Sequence, residues 1–197
     1  PAGGIYFSLA RPVAEAAAPS PLLPLAIGIA LAEALSGFGL AGIQVKWPND
    51  VVVNGGKLAG ILVEKAKNTL IVGIGLNWSE AAITDLPEDR QAMGFASLVS
   101  PAARPAKEAV CAELVCAAID VMALPSTALA GRVMQCWAQW DALADHRIAL
   151  EQADGTVVIG TAMGITADGA LRLQTTAGQQ IVHSGDARIQ GGWEHSA

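Results

Sequence analysis

Residues 45–64 read Val-Lys-Trp-Pro-Asn-Asp-Val-Val-Val-Asn-Gly-Gly-Lys-Leu-Ala-Gly-Ile-Leu-Val-Glu, two apolar, β-branched runs on either side of an Asn-Gly-Gly step. Glycine supplies the positive φ that a tight turn demands, so this segment reads as a hairpin turning at Gly55-Gly56, with Lys57 opening the returning strand. A polar cluster, Lys46, Asn49 and Asp50, is broken by Pro48. The ring fixes φ and restricts the residue before it, which is expected to hold the preceding backbone extended and to set where Lys46 and Asp50 point. The chemistry of the segment therefore sits at the rim of a hairpin.

Around it the chain alternates between strand and helix signals. Residues 4–9 form a short strand, and Leu22 to Ser36 a helix whose apolar residues crowd nearly every face, as in a helix buried against a sheet; Gly37 and Gly39 end it. The hairpin spans 43–65, and a strand at 69–77 follows a Lys-Asn-Thr turn. Three apolar strands in succession predict an α+β fold, with one mixed or antiparallel sheet and the helix on its face. Residues 79–105 carry Pro87, Pro101 and Pro105 and read as a loop with one helical turn near Ala96 to Leu98, either a lid over a bound ligand or a solvated connector.

Helices are predicted at 105–123 and 127–143, the second carrying Trp137 and Trp140, whose spacing suits packing onto a core. After His146 the pattern changes to short strands separated by Asp154-Gly155, Asp168-Gly169 and Ala177-Gly178. Such steps are hairpin turns, so the last fifty or so residues predict a small β-barrel with a boundary near Asp145.

Composition excludes several classes of function. The apolar stretch Leu22 to Ala32 contains Pro24 and is followed by Glu33, short of the roughly 20 residues that span a bilayer, and neither a transmembrane segment nor a signal peptide is predicted. Cys111, Cys116 and Cys136 lack metal-ligand spacing and read as reduced core thiols of a cytoplasmic protein. With a net charge of −6 and twelve scattered Lys and Arg, the chain has no basic patch for nucleic acid.

The run Lys46 to Asp50, then Lys57, then Ala59 to Glu64 resembles the signature of the biotin protein ligases. Residues 70–77, Leu-Ile-Val-Gly-Ile-Gly-Leu-Asn, are similar to that family's next strand. The resemblance implies a class II synthetase-like biotin/lipoate ligase domain over 1–144 and an SH3-like domain over 145–197. It further implies a cytoplasmic enzyme using ATP, Mg²⁺ and biotin, whose partner is a biotin carboxyl carrier protein. Edge strands of this fold that pair between subunits would make a homodimer.

The same resemblance implies residue roles. Activating a carboxylate with ATP brings two anions together, and fixed cations must offset their repulsion. Lys57 would lie between the biotin carboxylate and the α-phosphate, with Lys46 as a second cation nearby. Asp50 and Asn49 would order Mg²⁺, the nucleotide or the acceptor lysine, the metal and transfer roles of Asp50 staying open. Trp47 belongs to the binding motif but reads as a packing residue.

Gly60 would let the valeryl tail pass, as a glycine inside a strand permits close approach, while Ile61 and Leu62 supply backbone polar groups or apolar contact. Gly75 and Asn77 would face the nucleotide, Asn77 offering both a donor and an acceptor to an adenine edge. Gly73-Ile-Gly75 lacks the Gly-Lys-Ser/Thr of a phosphate loop, so P-loop and Rossmann readings are rejected. Residues 185–190, Gly-Asp-Ala-Arg-Ile-Gln, are similar to a family Gly-Glu-x-x-x-Arg ending with Gln190 in place of Arg, which makes Arg188 a candidate phosphate contact.

Two family features are not in this sequence: a Gly-Arg-Gly-Arg loop that closes over biotin, and an earlier Ser/Thr-rich turn that reads its ureido ring. The chain opens at Pro1, at a point matching the residues after that loop, so an N-terminally truncated core is expected. Some members carry an N-terminal helix-turn-helix, and the present chain contains no such reader. Two alternatives stay in view: a lipoate ligase, which shares the fold, and a non-catalytic module that binds biotin or the carrier.

Overall fold

The computed structural model describes residues 3–79 and 92–191. Strands β1 (Gly4–Pro12), β2 (Ile43–Lys46), β3 (Asp50–Val53), β4 (Gly56–Ala66) and β5 (Thr69–Asn77) form one sheet in the order β1-β5-β4-β3-β2. Every pairing between these strands is antiparallel, which resolves the mixed-or-antiparallel expectation against a mixed sheet. Short turns join β2 through β5, and short turns can join only antiparallel neighbours.

One face of this sheet is a core. Ile5, Leu76, Ala59, Val51 and Val45 are paired strand to strand in a single row, and all are buried. Helix α1 (Leu22–Gly37) lies on that face, buried along most of its length as its apolar surround predicts. Its close approach depends on Gly28, where a Cβ would stand 2.9 Å from Val45 Cγ1. Helices α3 (Lys107–Ala123) and α4 (Ser126–Trp140) pack on α1, and Trp137 is buried while Trp140 packs partly buried against the core. A short α2 (Phe95–Leu98) coincides with the expected helical turn, whereas residues 80–91 of the predicted lid or connector lie outside the described residues.

The region read as one hairpin is two. β2 turns into β3 through Trp47, Pro48 and Asn49, with a cis Trp47–Pro48 bond, so Lys46 pairs with Asp50 across the turn. Pro48 thus sits in a reversal rather than prolonging an extended strand. The β3–β4 turn is Asn54-Gly55, both at positive φ (47° and 78°), one residue earlier than expected. Asn tolerates that region, so Gly56 is released into β4, where it is buried and a Cβ would meet Met93 Cγ at 2.4 Å.

The second sheet holds β6 (Arg147–Glu151), β7 (Val157–Ile165), β8 (Leu171–Thr175), β9 (Gly178–Val182) and β10 (Asp186–Ile189), antiparallel in the order β10-β6-β7-β8-β9. Gly155 and Gly169 turn at φ of 82° and 88°, as their Asp-Gly steps predict. Strand β10 was not foreseen, because four residues with no tight turn before them carry little periodicity. The cysteines are free, but Cys116 is exposed and Cys111 and Cys136 are half-buried, so they are not core thiols. Among the described residues no helix is long and apolar enough to cross a membrane.

Helix α4 stops at Trp140, before the expected Leu143, because Asp141 takes over the backbone. Its buried carboxylate accepts the Trp137 indole N–H and the Leu143 amide, both at 2.9 Å, while Ala142 N–H donates to the Val45 carbonyl on β2. Burial pushes the Asp141 carboxyl above its ordinary value, against the opposing effect of those two hydrogen bonds. A raised folded pKa means that this group's contribution to stability is present below the unfolded value and is lost as pH rises through the folded one. Denaturant titrations should therefore show Asp141→Asn gaining stability relative to wild type over that rise. A change toward wild type would contradict the assignment. Asp141→Ala, which leaves two buried N–H groups without an acceptor, is expected to cost about 1–3 kcal/mol per group at any pH.

Candidate active site

The face of the first sheet opposite α1 carries a second cross-strand row. Tyr6 pairs with Gly75, Gly75 with Gly60, Gly60 with Asp50, and Asp50 with Lys46, so one line crosses all five strands. Directly paired residues in antiparallel strands project to the same face. Two neighbours in the row are glycines, so the middle of the sheet presents bare backbone. A cleft of about 670 Å³ lies over it, lined by Tyr6, Ser8, Lys57, Leu62 and Gly73 among others.

Strict alternation would put Lys57 on the wrong face, since it shares parity with buried Ala59 and Ile61. A bulge corrects this. Val51 pairs with Ala59 but Val52 pairs with Lys57, so Leu58 is an extra residue and two consecutive side chains, Leu58 and Ala59, are buried. Bulges commonly re-aim a side chain beside a functional site. Here the bulge swings Lys57 onto the open face.

Lys57 Nζ lies 2.6 Å from Asp50 Oδ1, with the lysine side chain 49% and the aspartate 19% exposed. The contact is an ion pair without hydrogen-bond alignment, since the buried Oδ1 has no aligned donor among the described residues. Only the lysine end of the pair is open to water, so the ammonium is the partner that a ligand in the cleft can reach. Gly60 makes the pair fit: a Cβ there would stand 3.1 Å from both Cε and Nζ of Lys57 and 3.5 Å from Asp50 Oδ1.

The surrounding polar groups fix the backbone of the site. Asn49 is held to β4 twice, its side-chain amide donating to the Ile61 carbonyl at 2.8 Å and its own carbonyl accepting from Ile61 N–H at 2.9 Å. The Asn77 amide donates to the Lys57 carbonyl at 2.9 Å, which also receives Met93 N–H.

The structure brings Lys57, Asp50, Asn49, Gly60, Ile61, Leu62 and Gly75 together at the cleft, with Asn77 on its border bracing Lys57. It does not bring Trp47 there. That side chain is 2% exposed and donates its indole N–H to the Gly169 carbonyl in the second sheet. Lys46 ends the row and reaches Asp186 Oδ1 at 3.7 Å, and Arg188 contacts Asp186 and Glu151 at 3.5 and 3.4 Å, so Arg188 joins the site through Asp186. Tyr6, Phe7, Ser8, Gly73, Ile74 and Asp186 escaped the sequence reading. Two of them left a signal there: Gly73, a second glycine two residues from Gly75, and Asp186, which stands at the Glu of the Gly-Glu-x-x-x-Arg likeness.

A half-exposed ammonium beside an open, glycine-floored cleft lined by Tyr6 and Leu62 can pair with an acid whose apolar part lies over the bare backbone. The class that this fold and site define is the biotin/lipoate A/B protein ligase family, whose model matches residues 1–79. A second model, the biotin protein ligase C terminal domain, matches residues 146–188, and the chain belongs to the biotin protein ligase family.

The chain is 30% identical over 178 residues to a biotin–[acetyl-CoA-carboxylase] ligase of Mycobacterium tuberculosis, covering 83% of this chain and 60% of that protein. It is 29% identical over 175 residues to the bifunctional ligase/repressor BirA of Salmonella typhimurium, covering 86% and 53%. The chain thus spans less than two thirds of these relatives' length. The crystal structure of a biotin protein ligase from Aquifex aeolicus superposes with a TM-score of 0.79 at 22% identity, covering 95% of this chain and 83% of that one, which establishes a shared fold.

Proposed function

We propose that this chain is the core of a biotin protein ligase that activates biotin with ATP and transfers it to a lysine of a biotin carboxyl carrier protein. The observation that carries the reading is Lys57 held over the glycine row by the Leu58 bulge, in a cleft of suitable size. In the first step a biotin carboxylate oxygen attacks the α-phosphorus, the bond to pyrophosphate breaks, and biotinyl-AMP forms. In the second, the carrier lysine's amine attacks the acyl carbon, loses a proton, and AMP departs.

Negative charge builds on the α-phosphate oxygens in the first transition state. Lys57, which stands at the cleft beside Asp50, exchanges that carboxylate for the phosphate and so supplies a cation where charge develops. Lys46 adds a second positive charge at the end of the row, held there by Asp186. Gly60, with Ile61 and Leu62, accommodates the acid's tail, Gly75 and Asn77 border the nucleotide, and Arg188 is the phosphate contact.

Mg²⁺ bound to nucleotide needs only one or two protein carboxylates, and the donor set here offers one, Asp50, with its buried Oδ1 lacking an aligned donor. The ion would neutralise phosphate charge and orient the leaving group. Asp50→Ala is expected to raise the Mg²⁺ concentration for half-maximal rate about tenfold or more. Mg²⁺ titration of pyrophosphate release checks it, an unchanged requirement removing Asp50 from the metal role.

In this reading 1–144 is the catalytic domain and 145–197 an SH3-like barrel, in a cytoplasmic protein that engages neither nucleic acid nor membrane through this chain. Homodimerisation through an edge of the first sheet goes with it. Incubation with Mg-ATP and either biotin or lipoate, followed by mass spectrometry of the acyl-adenylate, tests the substrate. Biotinyl-AMP alone is expected. Lipoyl-AMP would transfer the reading to lipoate, and tight biotin binding with no adenylate would leave a non-catalytic module.

A further inference from the structure

The motif's tryptophan turns away from the cleft and toward the second sheet. Trp47 sits between Lys46 and Asn49 in the β2–β3 turn, yet it is 2% exposed and its indole Nε1 donates to the Gly169 carbonyl at 3.0 Å, a buried hydrogen bond between residues 122 positions apart. Gly169 belongs to the turn between β7 and β8. Its φ is +88°, a region that favours glycine, and a Cβ there would meet Leu22 Cδ2 at 3.0 Å, so the turn also abuts the start of α1.

The turn is itself rigidly built. Gly169 N–H donates to the Thr166 carbonyl at 2.9 Å, Thr166 N–H to the Ala170 carbonyl at 2.8 Å, and Ala170 N–H to Thr166 Oγ1 at 3.0 Å, while the Thr166 hydroxyl also donates to the Asp168 carboxylate. On its other side the β2–β3 turn is held by the paired Asn49–Ile61 hydrogen bonds. The segment between Lys46 and Asp50 is thus clamped from both sheets. A Lys46–Asp186 ion pair reinforces the outer clamp.

We propose that the β7–β8 turn of the second sheet is a positioning element for the reaction in the first, acting through the Trp47–Gly169 hydrogen bond to fix Lys46 and Asp50 relative to Lys57. Trp47 is a positioning residue and touches no reacting atom. The inference rests on the reading in which Lys57 and Asp50 serve adenylation. It explains why a large polar-edged aromatic, and not an aliphatic, stands in the turn: an aliphatic would fill the space but leave the carbonyl unmet. Misplacing a charged group by about 1 Å can cost about 10²-fold in rate.

The test is a double-mutant cycle on the protein with Trp47→Phe, which keeps a buried ring and drops the N–H, and Gly169→Ala, which keeps the indole and displaces the carbonyl. Trp47→Phe is expected to lower kcat for adenylate formation about tenfold with KM for ATP little changed, and the double variant to be no slower than the slower single one. A second arm reads backbone amide resonances. Gly169→Ala should shift those of Lys46, Asn49 and Asp50 in the wild-type background and leave them in place in the Trp47→Phe background. A kcat within twofold of wild type, losses that multiply, or equal shifts in both backgrounds would each overturn the proposal. A wild type that makes no adenylate with either acid would remove the adenylation reading instead, and the resonance arm would then decide alone whether the two turns are coupled.

Discussion

Lys57→Ala is expected to lower biotin-dependent pyrophosphate release by about three orders of magnitude while leaving the thermal midpoint within a few degrees of wild type. The two halves of that expectation come from different observations. The side chain is half-exposed and outside the core, so its removal leaves no cavity among the packed residues and costs the fold little. The rate loss follows from removing a fixed cation where charge develops between two anions. Lys57→Arg should not restore it, because a planar, delocalised guanidinium does not place a compact point charge where the ammonium stands. A Lys57→Ala enzyme with wild-type rates would remove Lys57 from the chemistry altogether.

Gly60→Val is the second large effect, and its interest lies in what it should not do. Gly60 is extended within β4, where valine is a favourable residue, so the substitution is expected to be nearly neutral for stability. Its Cβ would nevertheless stand where Lys57 Cε and Nζ now lie within 3.1 Å, and its methyls would fill the floor of the cleft. Both the cation and the acid's tail would be displaced. The expected outcome is a fall of about 10²-fold in kcat/KM for biotin, read by steady-state kinetics beside a melting curve. Loss of folding would mean that Gly60 serves the sheet, and unaltered kinetics that the ligand track lies elsewhere.

What the sequence revealed and concealed has physical causes. The apolar surround of α1 and the Asp-Gly turns of the second sheet are local signals, and they were legible as such. The Lys46-to-Glu64 motif was legible through its resemblance, which named Lys57 and Asp50 as partners in one site. Their geometry was hidden because it depends on register. Plain alternation would bury Lys57 beside Ala59, and only the extra residue at Leu58 reverses it. Tyr6 could not be found because its place depends on pairing with Gly75, nearly seventy residues away. Likewise nothing near Trp47 announces Gly169, and nothing near Lys46 announces Asp186, since both contacts join separate sheets. The turn at Asn54-Gly55 was displaced by one residue for a simpler reason: two adjacent glycines were weighted above an asparagine that adopts the same conformation.

The most direct test of the account is biotin-dependent exchange of labelled pyrophosphate into ATP, measured for wild type and Lys57→Ala side by side. The account predicts exchange in the wild type that requires biotin and Mg²⁺ and is nearly abolished in a variant that still folds. Exchange that proceeds equally without Lys57 would contradict it.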